Sequence, residues 1–293
     1  MSLVNQAETM NKEYMNDSLL INDFEKLSRF IYNQSGIKMP PSKKIMMEAR
    51  LRKRLRDLNI NSYTEYCDFL FSKEGAKNEI THLIDVITTN KTDFFREPKQ
   101  FSFLSEIALP ALLEEYQVGV KQPLKVWSAG CSTGEEPYTI SIVINEFANK
   151  IPRYLFSIFA TDISTIVLQK AAMGIYEEER IEPVAPELIK KYFLRSKDRQ
   201  KKLVRVIPEL RNSVAFQRLN FMDNDFGVNE LFDVIFCRNV IIYFDKPTQD
   251  KLIEKLITYL KPGGYLFMGH SESIFNTSLP LTQLAASTYR KRQ

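Results

Sequence analysis

The residues with the clearest chemical potential lie in segment 128–136, which reads Ser-Ala-Gly-Cys-Ser-Thr-Gly-Glu-Glu. An apolar run ends there and a helical pattern begins directly after it, as at the ligand-binding strand ends of α/β proteins. Gly130 and Gly134 allow the backbone to turn sharply and approach a small molecule. Because Glu135 and Glu136 follow at once, the loop suits a ligand with positive charge or free hydroxyls better than a pyrophosphate. A plain strand-to-helix turn is the alternative, since the glycine spacing does not match the dinucleotide fingerprint.

Asp162 ends the next apolar run. In dinucleotide-binding folds an acidic residue at this place accepts hydrogen bonds from ribose hydroxyls. The alternative is a helix N-cap, since Asp162 and Ser164 both precede a helical pattern. Together with the loop, Asp162 favours a nucleoside that carries positive charge. S-adenosylmethionine combines an ammonium, a sulfonium and an unphosphorylated ribose, so we predict it as the cofactor.

A third apolar run, 232–244, is interrupted by Arg238 and Asn239 and resumes before Tyr243. Polar residues at this point lie over the same sheet edge as Gly130 and Asp162. A solvated loop with a core tyrosine is the alternative.

The elements that must position these residues form two groups. Helical spacing predicts helices at about 18–35, 43–58, 62–72, 76–88 and 98–117. Strands then alternate with helices, with strands at 124–129, 155–161, 232–237 and 265–269 and helices at 137–149, 164–174 and 248–260. This alternation predicts a mostly parallel, doubly wound α/β sheet.

The predicted organisation is a disordered tail, a helical domain, a linker with a connecting helix, and an α/β domain that contains a small antiparallel β-subdomain. The respective ranges are 1–16, 17–88, 89–122, 123–293 and, for the insertion, 177–213.

Basic charge is concentrated between Lys38 and Arg56, where eight Lys or Arg residues face one acidic residue, Glu48, although the whole chain carries only +4. Such a window favours docking to an acidic surface, and a solvated helix face is the alternative. The window has no aromatic residue, which disfavours stacking on single-stranded nucleic acid. The candidate docking residues are Lys43, Lys44, Arg50, Arg52, Lys53, Arg54 and Arg56.

Composition excludes several classes of protein. The 293 residues are 44% apolar and 26% charged, as in an ordinary globular protein. Three cysteines without a C-x-x-C pair argue against a disulfide framework, and two distant histidines, His82 and His270, argue against a metal site. No apolar run is long enough to span a bilayer and the N-terminus has no secretory pattern. We therefore expect a cytoplasmic protein without membrane insertion. The sequence leaves the oligomeric state open, and a monomer is our working expectation.

Several long motifs in order resemble the CheR family, the chemotaxis receptor methyltransferases, over about 20–293. The matching segments are Asn90–Glu97, Trp127–Tyr138, Phe159–Ser164, Cys237–Phe244, Leu260–Gly264 and Gly269–Glu272. The resemblance implies a Rossmann-like methyltransferase domain with a helical N-terminal domain and an inserted β-subdomain. It also implies methyl transfer from S-adenosylmethionine to glutamate side chains of chemoreceptors, with S-adenosylhomocysteine as product.

The resemblance also implies which residues bind the cofactor and which act in catalysis. A linker motif folds over the cofactor, Asp162 binds its ribose, and Arg96 and Tyr243 lie beside the transferable methyl as catalytic residues. With the residues of the loops above, the cofactor-binding set is Asn90, Thr92, Arg96, Gly130, Glu135, Glu136, Asp162, Asn220, Phe221, Cys237, Arg238 and Asn239. The glutamate-rich helical bundle of a receptor would be the partner of the basic helix.

Two other functions remain open from the sequence. An RNA or DNA methyltransferase would share the fold, but the Asn/Asp-Pro-Pro-aromatic motif of base-amine enzymes is replaced here by Arg238-Asn239-Val240-Ile241. A cofactor-binding regulatory module without turnover is the non-enzymatic alternative. One departure from the family is the β-subdomain turn at 196–202, which lacks glycine, so no groove for a receptor tail can be assigned to it.

Overall fold

The computed structural model describes residues 18–274 and 278–293. The predicted disordered tail at 1–16 lies outside the described residues. The chain divides into two compact units, one ending at Thr89 and the other running from Asn90 to Gln293. Within the described part, no helix is both long and apolar enough to cross a membrane.

The first unit is helical. Its helices are α1 (Ile21–Ser35), α2 (Lys44–Leu58), α3 (Tyr63–Phe71), α4 (Lys73–Asn78) and α5 (Ile80–Ile87). Gly36 ends α1 in the left-handed conformation at φ 72°, which glycine adopts without steric cost. The helix predicted at 76–88 is instead the pair α4 and α5, which meet at Glu79.

Apolar side chains at helical spacing form the core of this unit. Leu27 and Ile31 of α1 and Met47 and Leu51 of α2 are fully buried in one cluster. Complete burial of each such side chain stabilises the fold by about 1.5–3 kcal/mol. The opposite faces of these helices carry mostly polar and charged residues, although Ile21 of α1 and Ile45 of α2 are also exposed.

The second unit begins with a helical segment over 98–116. It consists of α6 (Pro98–Phe103), a π-helical turn (Leu104–Ala108) and α7 (Leu109–Tyr116). Pro110 lacks the N–H that a regular helix would use, and the N–H of Leu109 donates to the carbonyl of Leu104, five residues back. The single helix predicted over 98–117 therefore contains one wide turn.

A seven-stranded sheet forms the centre of this unit, in the order β6-β2-β1-β7-β8-β10-β9. The strands are β1 (Leu124–Ala129), β2 (Phe156–Asp162), β6 (Val214–Arg218), β7 (Phe232–Cys237), β8 (Leu260–Met268), β9 (Leu281–Ala285) and β10 (Thr288–Lys291). β10 runs antiparallel to β8 and β9, while β1, β2, β6, β7 and β8 are parallel. The predicted mostly parallel α/β sheet is confirmed.

The helices of the second unit that follow β1, β2 and β7 are α8 (Glu135–Ala148), α9 (Thr165–Met173) and α12 (Lys246–Tyr259). β1 lies between β2 and β7, so the chain leaves β1 on one side and later returns on the other. This is a topological switch point, where the loops diverge and leave room for a ligand.

The predicted small antiparallel sheet is confirmed, but it begins at Ile175, before the start predicted for the insertion at residue 177, and the insertion is therefore taken as 175–213. Its strands are β3 (Ile175–Glu177), β4 (Phe193–Arg195) and β5 (Leu203–Val206), in the order β3-β5-β4. Two helices, α10 (Pro186–Tyr192) and α11 (Pro208–Asn212), accompany it.

Candidate functional site

The carboxyl ends of β1, β2 and β7 meet at one edge of the sheet. Ala129 pairs with Thr161 of β2, and Ser128 pairs with Phe236 of β7. The loops that follow these three strands therefore lie together, as the sequence predicts.

The loop after β1 has the predicted sharp turn. Gly130 and Gly134 have φ of 89° and 97°, and Ser132 has φ of 49°. A Cβ on Gly130 would lie 2.3 Å from Val240 Cγ2. Protein atoms therefore occupy the space beside Gly130, and packing alone requires a glycine there.

Both glutamates at the start of α8 are buried and paired with arginine. Glu136 accepts hydrogen bonds from Ser128 Oγ and from Arg238 Nε, each at 2.7 Å. Glu135, only 1% exposed, accepts from Arg180 Nη2 at 2.6 Å. These ion pairs offset the cost of burying two carboxylates.

Asp162 joins the β1 and β2 loops. Its Oδ2 accepts from the N–H of Ser132 at 2.8 Å, and its Oδ1 accepts from the N–H of Ser164 at 3.0 Å. The N-cap of α9 is Ser164, whose hydroxyl accepts from the N–H of Val167. Asp162 thus fixes the loop after β1 from the neighbouring strand.

Arg238 lies at the end of β7 with its side chain 2% exposed. Besides Glu136, its guanidinium donates to Gln100 Oε1 at 2.8 Å and to the carbonyl of Arg96 at 2.7 Å. It also lies over the Phe101 ring, 5.0 Å from the centroid. Arg238 therefore holds the segment 96–101 against the sheet edge.

The linker residues lie at the same edge. The carbonyl of Asn90 accepts from Ser132 Oγ at 2.9 Å, and Thr92 is buried. Arg96 is half-buried, and its Nη1 donates to the carbonyl of Lys91 at 3.0 Å. Asn90 therefore contacts the loop at 128–136 directly, whereas the carbonyls of Thr92 and Arg96 accept from Arg180 and Arg238, which pair with the glutamates of that loop.

The loop after β7 carries Asn239 and Tyr243. Asn239 has φ of 57°, and its N–H donates to Glu272 Oε2 at 2.8 Å. Tyr243 ends a 3-10 turn and is half-buried. Asn220 and Phe221 follow β6, also on the carboxyl side of the sheet, and Asn220 Oδ1 accepts from the N–H of Met222.

Glu272 anchors this loop. The N–H groups of Gly269, Asn239 and Ile242 donate to its carboxylate, at 2.8, 2.8 and 3.3 Å. Burial raises the pKa of Glu272, and these N–H groups act in the opposite direction.

The two cysteines of the site are buried and chemically inert. Burial raises the pKa of the Cys131 and Cys237 thiols well above the usual range. The carboxylates of Asp162, near Cys131, and Glu272, near Cys237, raise it further. Both thiols are therefore neutral at physiological pH.

Sequence reasoning missed Arg180, Gln100 and Glu272 as parts of the site. Arg180 follows three glutamates and resembles an exposed charged segment. Glu272 was recognised only within a motif, and nothing in the local pattern of Gln100 distinguishes it. Each acts through contacts with residues distant in sequence, which periodicity does not report.

The edge fits a cationic nucleoside. Three buried carboxylates, from Glu135, Glu136 and Asp162, lie in its loops, and the two glutamates are paired with Arg180 and Arg238. Carboxylates can accept hydrogen bonds from ribose hydroxyls or an ammonium group. These acceptors match the ribose hydroxyls and the ammonium group of S-adenosylmethionine.

Comparison with known proteins also indicates an S-adenosylmethionine site. The family model "CheR methyltransferase, SAM binding domain" matches residues 90–290, and "CheR methyltransferase, all-alpha domain" matches 22–88. This chain belongs to the CheR methyltransferase family. It is an S-adenosylmethionine-dependent methyltransferase, and the predicted cofactor and fold class are confirmed.

Similar relatives share nearly the full length. The chemotaxis protein methyltransferase of Borreliella burgdorferi is 40% identical over 96% of this chain and 98% of its own. That of Escherichia coli is 37% identical over 94% and 93%. Among solved structures, the plantazolicin methyltransferase BpumL is 14% identical with a TM-score of 0.32 over 58% of this chain and 46% of its own, a likeness too weak to bear on the site. Methylation in chemotaxis is the function of this CheR enzyme.

The basic helix α2 belongs to the helical unit, and two of its arginines are used internally. Arg54 Nε and Nη2 donate to Glu79 at 2.8 and 2.6 Å. Arg50 donates to the carbonyls of Ile87 and Thr88 at the end of α5. Each has a structural use that the sequence pattern could not distinguish from a docking use.

The side chains of the other predicted docking residues differ in their exposure to solvent. Lys53 and Arg56 are exposed, on the same face of α2 as Ile45, which is 80% exposed. Lys44 and Arg52 form ion pairs with Glu48 at 3.7 and 3.3 Å. Lys43 is half-buried at the start of the helix.

Proposed function

We propose that the enzyme transfers the methyl group of S-adenosylmethionine to glutamate carboxylates in the cytoplasmic helical bundle of a chemoreceptor, forming methyl esters in chemotaxis adaptation. The observation that carries this proposal is the state of the titratable groups at the site. The Cys131 and Cys237 thiols are neutral and buried. Glu135 and Glu136 are engaged by arginines.

A reaction at this edge therefore favours an acceptor that arrives already deprotonated. A glutamate carboxylate, with a reference pKa of about 4.3, is ionised at neutral pH, whereas a lysine amine, at about 10.4, is protonated. When bound, the cofactor supplies a methyl group on a positively charged sulfur. An ionised carboxylate oxygen would accept this methyl group without giving up a proton, so the site would need no general base.

In this proposal the protein contributes alignment and exclusion of water. The guanidinium of Arg96 would orient the acceptor carboxylate, and the hydroxyl of Tyr243 would lie beside the methyl group of the bound cofactor. Asp162 binds the ribose. Asn90 and Thr92 of the linker cover the cofactor.

We propose that some of the remaining residues contact the cofactor and that others hold those residues in place. Gly130, Glu135, Asn220, Phe221, Cys237 and Asn239 are assigned to the walls of the cofactor pocket. We assign Arg238 and Glu136 a positioning task, because each engages the other and Arg238 also holds the linker.

Docking of the receptor is assigned to the exposed face of α2. A glutamate-rich helical bundle is complementary in charge to Lys53 and Arg56, and complementary charge steers association and sets register. The flanking Ile45 offers an apolar contact on the same face.

The pH dependence of single turnover tests the carboxylate acceptor. With saturating cofactor and a receptor fragment, we expect the methylation rate to change less than about twofold between pH 6.5 and 9, because the acceptor is ionised throughout. An amine acceptor would give about a tenfold rise per pH unit and contradict the proposal.

His270 supplies the control for a hidden base. It is the one histidine in 90–293, and its Nε2 lies 3.9 Å from Glu97 Oε2. We expect His270→Gln to retain the parent rate and the flat profile. A large loss of rate in that variant would indicate base catalysis instead.

A further inference from the structure

Arg180 belongs to the insertion but contacts the cofactor edge. It lies in a 3-10 turn directly after β3. Its Nη1 donates to Asp93 Oδ1 at 3.0 Å, and its Nη2 donates to the carbonyl of Thr92 and, at 2.6 Å, to Glu135 Oε1. One guanidinium therefore joins the insertion, the linker and the first residue of α8.

Aromatic packing joins the same segments. The buried Phe94 ring makes edge-to-face contacts with Tyr176 of β3 and Phe193 of β4, with centroids 5.1 and 5.4 Å apart. The hydroxyl of Tyr176 donates to the carbonyl of Thr133 at 2.7 Å. The insertion thus contacts the linker at Phe94 and the cofactor loop at Thr133.

Loss of Arg180 would leave Glu135 as a buried carboxylate without its cation. Thr133 Oγ1 would remain as a donor to Glu135 Oε2, and the N-terminus of α8 supplies only a partial positive charge. A buried charge that loses its partner recruits water or moves. A shift of the Glu135 carboxylate would displace the loop at 132–135, and in either case Thr92 and Asp93 would lose the donor that they share with Glu135.

We propose that Arg180 is a positioning residue through which the inserted β-subdomain holds linker residues 92–95 and the loop at 132–135 in the arrangement that binds S-adenosylmethionine. The proposal rests on the cofactor site assigned above and is independent of the acceptor. It gives the insertion a part in cofactor binding, whatever else it contacts.

The test compares Arg180→Gln and Arg180→Lys with a matched control in the full-length protein. Lys191→Gln is the control, because Lys191 pairs with Glu146 at 2.7 Å and joins the same insertion to the other end of α8. Binding of S-adenosylmethionine is measured by calorimetry without acceptor, and amide hydrogen exchange is measured over 90–96.

We expect Arg180→Gln to weaken cofactor binding about tenfold, as loss of charge-assisted hydrogen bonds does, with faster exchange over 92–95. Arg180→Lys should recover part of the affinity, because lysine keeps the charge but not the planar set of donors. Lys191→Gln should bind the cofactor like the parent, and the receptor KM should stay unchanged in all three.

Parent-like binding by Arg180→Gln would overturn the proposal. Equal losses in Arg180→Gln and Lys191→Gln would overturn it too, since they would reflect general loosening of the insertion. Asp162→Asn distinguishes a failure of the proposed cofactor site from a failure of the role assigned to Arg180. If it weakens binding while Arg180→Gln does not, the cofactor site stands and only the assignment of Arg180 fails.

Discussion

At the scale of single residues, the proposed transfer depends most on Arg96. Its half-buried side chain donates to the carbonyl of Lys91 at the linker, where a guanidinium can orient a carboxylate through two parallel hydrogen bonds. We expect Arg96→Ala to lower kcat about 100-fold, because misalignment of the reactants removes the main source of rate. The measurement is methyl transfer at saturating cofactor and receptor fragment.

Lys99→Ala is the control for this prediction. Lys99 is exposed on the helix that follows, so its loss removes a nearby positive charge without touching the linker. A near-normal kcat in Arg96→Ala, or an equal loss in both variants, would contradict the assignment of Arg96.

The cysteines give a second prediction at this scale. Cys67, Cys131 and Cys237 are free and buried, and burial raises the pKa of Cys67 to about 12. Since the thiolate is the reactive form, we expect a disulfide reagent at pH 8 to modify none of them rapidly in the folded protein and all three in denaturant. Rapid modification of the native protein would contradict the described packing.

The pH dependence of stability tests Glu272. Burial places its folded pKa above its unfolded pKa, so the folded state binds more protons between the two values. Stability then falls as pH rises from about 4.5 through the raised pKa. We expect urea unfolding midpoints to show this fall in the parent and a smaller one in Glu272→Gln; parallel curves would contradict it.

At the scale of elements, Arg54 and Lys53 are neighbours on α2 with different tasks. Glu79 is 1% exposed and accepts two hydrogen bonds from Arg54 and one from Tyr66 Oη. We expect Arg54→Gln to destabilise the helical unit by about 3–5 kcal/mol, because it leaves Glu79 buried and unpaired. Lys53→Gln should change the unfolding temperature no more than an ordinary surface substitution does. Thermal unfolding followed by circular dichroism measures the difference between the two variants.

The strands and helices differ in how well the sequence predicts them. The strands at 124–129 and 232–237 were predicted with the bounds that the structure has, because each is a short and mostly apolar segment that is almost entirely buried in the parallel part of the sheet. β9 was missed because four of its five residues are exposed and show no alternation. The π-helical turn at 104–108 was missed because apolar residues at helical spacing do not distinguish a wide turn from a regular α-helical turn.

Some residues of the candidate site could likewise be predicted from the sequence, and others could not. Asp162 and the loop at 128–136 were predicted because strand ends and glycine turns leave local signals. The separate tasks of Arg50, Arg54 and Lys53 were not predictable, since a run of basic residues looks alike whether it faces solvent or a buried carboxylate. Arg180 was missed because its partners lie 45 to 88 positions away.

At the scale of the whole molecule, the basic face of α2 should control receptor affinity and not chemistry. We expect the charge reversals Lys53→Glu and Arg56→Glu together to raise the receptor KM about three- to tenfold at low salt, and less at high salt, where exposed charges are screened. Cofactor affinity and kcat should stay unchanged. Steady-state kinetics at two ionic strengths measure both effects.

A matched control separates local from global charge. Lys121→Glu with Lys150→Glu gives the same change in net charge at exposed positions of the other unit, and should leave KM unchanged. If both double variants raise KM equally, docking follows net charge and not the α2 face.

The central claim is transfer to a carboxylate, and the chemical stability of the product tests it most directly. The enzyme is incubated with methyl-labelled S-adenosylmethionine and a glutamate-rich receptor fragment, and the labelled fragment is then treated with alkali. We expect the label to be released as volatile methanol, since a carboxyl methyl ester hydrolyses in base. Label that stays on the fragment after alkali would place the methyl group on nitrogen or another stable acceptor and contradict the account.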